Sequence, residues 1–269
     1  SVHAARRRLG TAEQLPPALF AWWRERRGEL PWRATRDPYA ILVCEVMSHQ
    51  TQIQRVRDRW ERWLARWPTV DALAAAALAD VLREWEGLGY PRRARDLHAT
   101  ARRIASDGWP DELTELPGVG PYTADALRCF AFEEPVVPLD ANVRRVLARR
   151  FPGGLAPATD AWSAGGALMD LGRIHCRARP RCAPCPLRAG CLVGLEDADW
   201  DPATAARRQS PYRGSLRARR GELLRLALAG ERPRSERDAE AAASLIDDGL
   251  LDEEGGELIP PRSIVGGAR

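Results

Sequence analysis

Four cysteines fall within sixteen residues in the segment HCRARPRCAPCPLRAGC, spaced C-x5-C-x2-C-x5-C at Cys176, Cys182, Cys185 and Cys191. Three prolines and a glycine lie between them, so this stretch cannot continue as helix or strand and must wrap around something compact. The N-terminal residues SVHAARRRLG are basic and lack an apolar targeting core, which leads us to expect a cytoplasmic protein. In that setting four close cysteines read as a metal site rather than as disulfides. Zinc and iron–sulfur both remain open. Structural zinc usually shows two short C-x2-C pairs, and only one is present here. A cubane has four separated corners, which a single wrapping loop can reach, so we favour iron–sulfur. His175 reads as a neighbour of the site rather than a ligand. Arg177, Arg179, Arg181 and Arg188 read equally well as a solvated face and as phosphate contacts beside the site. Cys44 and Cys129 sit in apolar runs and read as buried thiols.

The rest of the chain is patterned for helices. Apolar residues recur at helical spacing over 13–28, 38–51, 53–66, 71–84, 92–106, 121–132, 140–150 and 159–173. Turn signals such as Arg36-Asp37-Pro38, Trp67-Pro68-Thr69 and Gly87-Leu88-Gly89 separate them. Period-two patterning is nearly absent before residue 245, so the expected body is all-α. Residues 192–215 read as a linker. Two further helices are expected over 217–229 and 236–248, with Leu250-Leu251 and Leu258-Ile259 flanking a small hairpin. Together these suggest a winged-helix-like module over 210–269. With 45% hydrophobic and 29% charged residues the composition is that of an ordinary globular chain, and no apolar run approaches a membrane span. The formal charge of +4 does not by itself indicate nucleic acid. The sequence holds no lysine, which excludes lysine Schiff bases and P-loop lysines.

Residues 116–124 read LPGVGPYTA: a helical segment, a glycine turn, then a new helix. That arrangement points backbone N–H groups at an anion, although alone it is equally a plain helix connection. Twenty residues beyond Gly120 the apolar run 135–139 delivers Asp140 to the start of a basic helix. Asp before Ala-Asn-Val is also a good N-cap. Upstream, Glu45 lies in the apolar run ILVCEVM, where a carboxylate is unfavourable unless it is paired or functional.

Taken together, these segments resemble the helix-hairpin-helix (HhH-GPD) base-excision DNA glycosylases, and within them the adenine glycosylase (MutY) branch. The resemblance covers residues ~20–195 and runs in order through LPWR, RDPY, EVM, QTQ, RWPTV, GLGY, RRARDLH, LPGVGPYTA, LDANVRRVLAR, LMDLG and the cysteine loop. It implies a two-lobed all-α body with DNA in a cleft. One lobe is a six-helix barrel-type domain over 31–133, and the other joins 12–30 to 134–195 with a [4Fe-4S] cluster that shapes the DNA-binding loop. It further implies that a mispaired base in duplex DNA is flipped out and its glycosidic bond hydrolysed. Glu45 would protonate the leaving base and Asp140 would stabilise the oxocarbenium sugar, with Tyr122 and Asn142 orienting the chemistry. Gln50 and Tyr90 would wedge into the base stack, Trp32 and Arg33 would wall the base pocket with Ser48 and His49 nearby, and Gly118, Val119 and Gly120 would offer N–H groups to a phosphate. Lyase members carry a lysine near position 122. A tyrosine there implies a monofunctional glycosylase that leaves an abasic site. A monomer with no membrane partner is expected.

The sequence departs from the family pattern in four places. Ser48 and His49 stand where leucine and glutamine are usual. Gly166 stands ten residues before the first cysteine, where a glutamine or glutamate commonly contacts adenine. The segment from Asp140 to Cys176 is short by about one helix. The tail does not match the nudix-like domain that reads 8-oxoguanine. Thymine/uracil mismatch glycosylases of the same branch are therefore the alternative, and a non-catalytic lesion-binding protein is the alternative of another class.

Overall fold

The computed structural model describes residues 13–193 and 211–262. The basic N-terminus and most of the 192–215 linker lie outside the described residues. Among the described residues the helices are α1 (Pro17–Arg26), α2 (Pro38–Ser48), α3 (Ile53–Arg66), α4 (Val70–Ala74), α5 (Leu78–Glu84), α6 (Arg92–Asp107), α7 (Pro121–Phe130), α8 (Ala141–Arg150), α9 (Ala161–Ile174), α10 (Leu216–Leu228) and α11 (Ala239–Asp247). Strands β1 (Asp252–Glu254) and β2 (Glu257–Ile259) pair antiparallel, with Asp252 opposite Ile259. The body is therefore helical, as its patterning requires. No helix among the described residues is long and apolar enough to cross a membrane. The chain divides into two compact units, Ser1–Leu42 with Pro121–Arg207 and Val43–Gly120 with Arg208–Arg269.

In the first unit α9 is the central helix, buried along nearly its whole length. Its small residues let neighbours approach closely. A Cβ on Gly166 would stand 2.4 Å from the ring of Trp23 on α1, and one on Gly172 would stand 2.6 Å from Asn142 on α8. The glycine at 166 thus has a packing cause, because the Trp23 indole fills the volume that a side chain there would need. The same indole donates from Nε1 to Asp170 at 2.9 Å. Burying that carboxylate requires a charge partner, and Arg33 supplies one through Nε and Nη2, each 3.4 Å from an Asp170 oxygen.

In the second unit the core centres on Trp63, whose ring meets Trp67 at 4.8 Å and Trp85 at 5.6 Å, both edge-on. Truncating a fully buried indole typically costs about 3–5 kcal/mol, so this trio anchors the unit. The continuous helix expected over 71–84 is instead two, α4 and α5, broken at 75–77. Thr69 caps α4 by accepting from Ala72 N, and His98 of α6 reaches the freed carbonyl of Ala76 at 3.0 Å. Packing against α6 thus overrides the helix propensity of an alanine run. The C-terminal elements belong to this unit: Arg83 of α5 donates to the Leu228 carbonyl at 2.9 Å, Arg95 of α6 donates to the Asp248 carbonyl, and Arg220 pairs with the Asp248 carboxylate.

Candidate active site and cysteine loop

In the first unit Asp140 is the N-cap of α8. Its Oδ1 accepts from Val143 N at 2.6 Å and its Oδ2 accepts from Asn142 Nδ2 at 2.9 Å. The cap reading and the catalytic reading therefore fall on one residue, because capping orients the half-buried carboxylate at the positive end of a helix. Asn142 is held in turn, its Oδ1 accepting from Arg145 Nη2 at 2.6 Å. Arg145 also donates to the carbonyls of Cys176 and of Gly172. One face of α8 thus runs from the Asp140–Asn142 pair to the start of the cysteine loop. Tyr122 lies partly buried in the first turn of α7. Trp32 and Arg33 are both buried, and Arg33 also lies over the Phe130 ring at 5.1 Å. The only sequence signal for Asp170, the partner of Arg33, is its place in LMDLG.

All four loop cysteines line one cavity, together with Arg149, His175, Arg181 and Arg188. Arg149 donates to the Cys176 sulfur at 3.1 Å and to the Arg177 carbonyl at 2.8 Å. Three short turns carry the loop round, Cys185 N to Cys182 O, Arg188 N to Cys185 O and Cys191 N to Arg188 O. Burial pushes the Cys182 thiol up, and the neighbouring Cys191 and Cys176 add to this, so the thiols lie within electrostatic reach of one another. Burial likewise raises Cys185. Among the described residues no three His, Cys, Asp or Glu side chains converge to hold a metal ion. The thiols surround a cavity rather than meeting at a point. Four thiols facing one arginine-rimmed space suit a multi-iron group that needs thiolates and carries net negative charge.

In the second unit Glu45 is buried on α2 at 7% exposure. Ser48 closes α2, its hydroxyl 3.9 Å from the Cys44 sulfur. His49 is held low in pKa by burial and by Arg93, which keeps it neutral at pH 7. Gln50 and Tyr90 both have left-handed backbones, with φ +57 and +50, and both side chains are exposed. In the hairpin, Gly118 has φ +74, and a Cβ there would stand 2.8 Å from Asp96 Cβ. Thr100 anchors the turn by donating to the Pro117 carbonyl at 2.7 Å. Val119 is engaged within the hairpin itself. Its N–H donates to the Leu116 carbonyl at 3.0 Å and its side chain is buried, so this donor already closes the turn. Arg93 was also not singled out. It lies in the RRARDLH segment, and nothing in its local pattern distinguishes it from Arg92 or Arg95.

Residues 43–154 match the model of the HhH-GPD superfamily base excision DNA repair protein. The chain is 43% identical over 233 residues to the adenine DNA glycosylase of Mycolicibacterium smegmatis, covering 78% of each chain. It is 42% identical over 243 residues to that of Mycobacterium tuberculosis, covering 80% of this chain and 79% of the relative. The solved structure of a thermostable thymine-DNA glycosylase superposes with a TM-score of 0.59 at 27% identity, over 66% of this chain and 93% of that one. The chain belongs to the adenine DNA glycosylase family of the HhH-GPD base excision repair superfamily.

Proposed function

We propose that this DNA glycosylase removes adenine mispaired with guanine or 8-oxoguanine from duplex DNA and leaves an abasic site without lyase cleavage. The observation that carries the reading is the Asp140–Asn142 pair. A carboxylate with donors on both oxygens, at the N-terminus of a helix, is already oriented to face a developing positive charge. Glu45, buried on an apolar helix, gives its proton to the base as the glycosidic bond breaks and the bonding pair leaves with the base. Asp140 stabilises the sugar cation, water adds to the sugar carbon, and the proton of that water returns to a carboxylate. Tyr122 and Asn142 orient these groups. Trp32, Arg33, Ser48 and His49 shape the base pocket, and Gly118 and Gly120 meet a phosphate. The absence of lysine supports a monofunctional enzyme, since a lysine Schiff base cannot form.

The lobes in this reading are 31–133 and 12–30 with 134–195, followed by a winged-helix-like module, and the working enzyme is a monomer on DNA. Cys176, Cys182, Cys185 and Cys191 hold a [4Fe-4S] cluster, whose bound form fixes the arginine-bearing loop against phosphate. The likeness to a thymine-DNA glycosylase structure keeps thymine or uracil opposite guanine as the second reading.

Single-turnover excision on a duplex panel separates these readings, with A opposite 8-oxoguanine, A opposite G, and T and U opposite G. Cleavage of the adenine strands after alkali is expected. Cleavage confined to T or U would replace the adenine assignment. Asp140→Asn should lower excision by on the order of 10³-fold or more while duplex binding is retained. Unchanged excision by that variant would refute the role of Asp140.

A further inference from the structure

We propose that Arg93 is the positioning residue for the two DNA wedges, fixing the turns that carry Gln50 and Tyr90 before DNA binds; this rests on the glycosylase reading above.

One guanidinium spans both turns. Nη1 donates to the carbonyls of Val46 at 2.8 Å, Met47 at 3.2 Å and His49 at 2.7 Å. Nη2 donates to Thr51 Oγ1 at 3.3 Å and to the carbonyls of Leu88 and Gly89, each at 2.9 Å. The first group closes the C-terminal end of α2, where carbonyls lose their helical partners. The second group ties 51 to the 88–89 turn. Gln50 lies between 49 and 51, and Tyr90 directly follows 89. Their left-handed backbones are unfavourable for side-chain-bearing residues, and such conformations persist where the surroundings over-determine them. Arg93 supplies that determination, and its guanidinium also lies 5.6 Å from the Tyr90 ring and 5.2 Å from the Trp85 ring. The hydroxyl of Tyr90 is 3.4 Å from Arg217 of α10, so the tyrosine is approached from two sides while the residue stays 37% exposed.

The charge state supports the same role. Burial lowers Arg93 to about 10, which leaves the fork cationic throughout the neutral range. A wedge that is ordered in advance loses little freedom when it enters a base stack. A loose wedge must be ordered at the moment of flipping, and misplacement by about 1 Å is enough to cost roughly 10²-fold in rate. Arginine is required by geometry, because a lysine ammonium is a single nitrogen and can serve one turn but not both.

The test is Arg93→Lys, with folding checked by circular dichroism. Two adenine substrates separate positioning from chemistry: one in a paired duplex, and one in an unpaired bulge that needs little wedging. Excision from the paired duplex should fall roughly 10- to 100-fold, with a much smaller loss on the bulge. Tyr90→Ala should slow the paired duplex too, and the double variant should be little worse than either alone. Equal losses on both substrates, or unchanged rates, would overturn the proposal. A second readout needs no excision. 2-Aminopurine at the target position should brighten on saturation with the unaltered protein and stay dim with Arg93→Lys. Brightening without excision would sink the glycosylase reading alone, whereas equal brightening by both proteins, or by neither, would sink the role of Arg93. If Arg93→Lys does not fold, Thr51→Val removes one acceptor and should show the same dependence on pairing at smaller size.

Discussion

Two irregular segments of this molecule are fastened by the same device, an arginine on the neighbouring helix, but not to the same degree. In the turns at 46–51 and 87–90, Arg93 engages both halves with six donated bonds. In the cysteine loop the arginine contacts fall at the two ends. Arg145 and Arg149 hold Cys176 and Arg177, while the Arg149 carbonyl receives Leu192 N at 2.9 Å. Between those ends the loop runs through short turns, and its four cysteines line one cavity. The fold completes the first region with its own side chains, and in the function proposed above the cluster would complete the centre of the second.

The largest effect should follow from breaking the second region. Cys185→Ser should abolish the broad absorbance near ~400 nm that iron–sulfur thiolates give. Amide protection across 177–191 should then collapse, and duplex affinity should fall on the order of tenfold as the loop arginines lose register with phosphate. Protection at 46–51 and 87–90 should not change, because every acceptor of Arg93 lies within 46–51 and 88–89 and none in the cysteine loop. Hydrogen exchange followed by mass spectrometry reads both segments in one experiment. A loop that keeps its protection, or wedge turns that lose theirs, would mean that the two regions are held in the same way.

A smaller effect tests the hairpin that shares the second unit. Gly118→Ala forces a left-handed alanine and brings its Cβ to 2.8 Å from Asp96 Cβ, on the α6 turn that carries Arg93. The two penalties together should destabilise by about 2–4 kcal/mol. Gly120→Ala meets nothing within 4 Å and should leave stability nearly unchanged. Denaturant unfolding of the pair decides it; equal midpoints would mean that the hairpin yields without strain.

The legible part of this molecule is the part written in local pattern. Proline and glycine between closely spaced cysteines require a wrapping loop, and all four cysteines line one cavity. Helical spacing announces an all-α body. The C-terminal helices and hairpin fall where turn signals and apolar pairs place them. What escaped depends on partners distant in the chain. Arg93 is one arginine among neighbours in RRARDLH until the turns at 46–51 and 87–90 fold onto it. Gly166 looks like a missing polar contact until Trp23 is seen against it. The break at 75–77 is invisible in an alanine run, because the donor that satisfies the freed Ala76 carbonyl is a histidine 22 residues away. The site residues are a middle case: Asp140 carries a visible cap signal, but what it faces is a question of chemistry that a cap alone does not answer.

The smallest expected effect concerns that histidine, which contrasts with Arg93 on the same helix. Both satisfy carbonyls at a helix break, but only the histidine has an ordinary pKa near neutrality. The Ala76 carbonyl can only accept, so His98 donates from Nε2 in its neutral form. Burial lowers the pKa of His98 from 6.5, against the smaller raising effect of its bond to Ala76. The folded protein therefore holds fewer protons than the unfolded chain once pH falls below about 6.5, the ordinary histidine value. Its contribution is whole above that pH and declines as acid is added, until the folded pKa is passed. Urea unfolding at pH 7.5, 6.5 and 5.5 should show stability falling with acid, and His98→Gln, which keeps an N–H for Ala76, should flatten that slope. His49 is lowered by burial as well, so part of the slope remains in the variant. The 75–77 break should open to exchange in acid before the Arg93-held turns do, since a guanidinium titrating at about 10 does not change charge in this range. Equal slopes for the two proteins would assign the acid sensitivity to the other histidines and leave the break at 75–77 as indifferent to pH as the wedge turns.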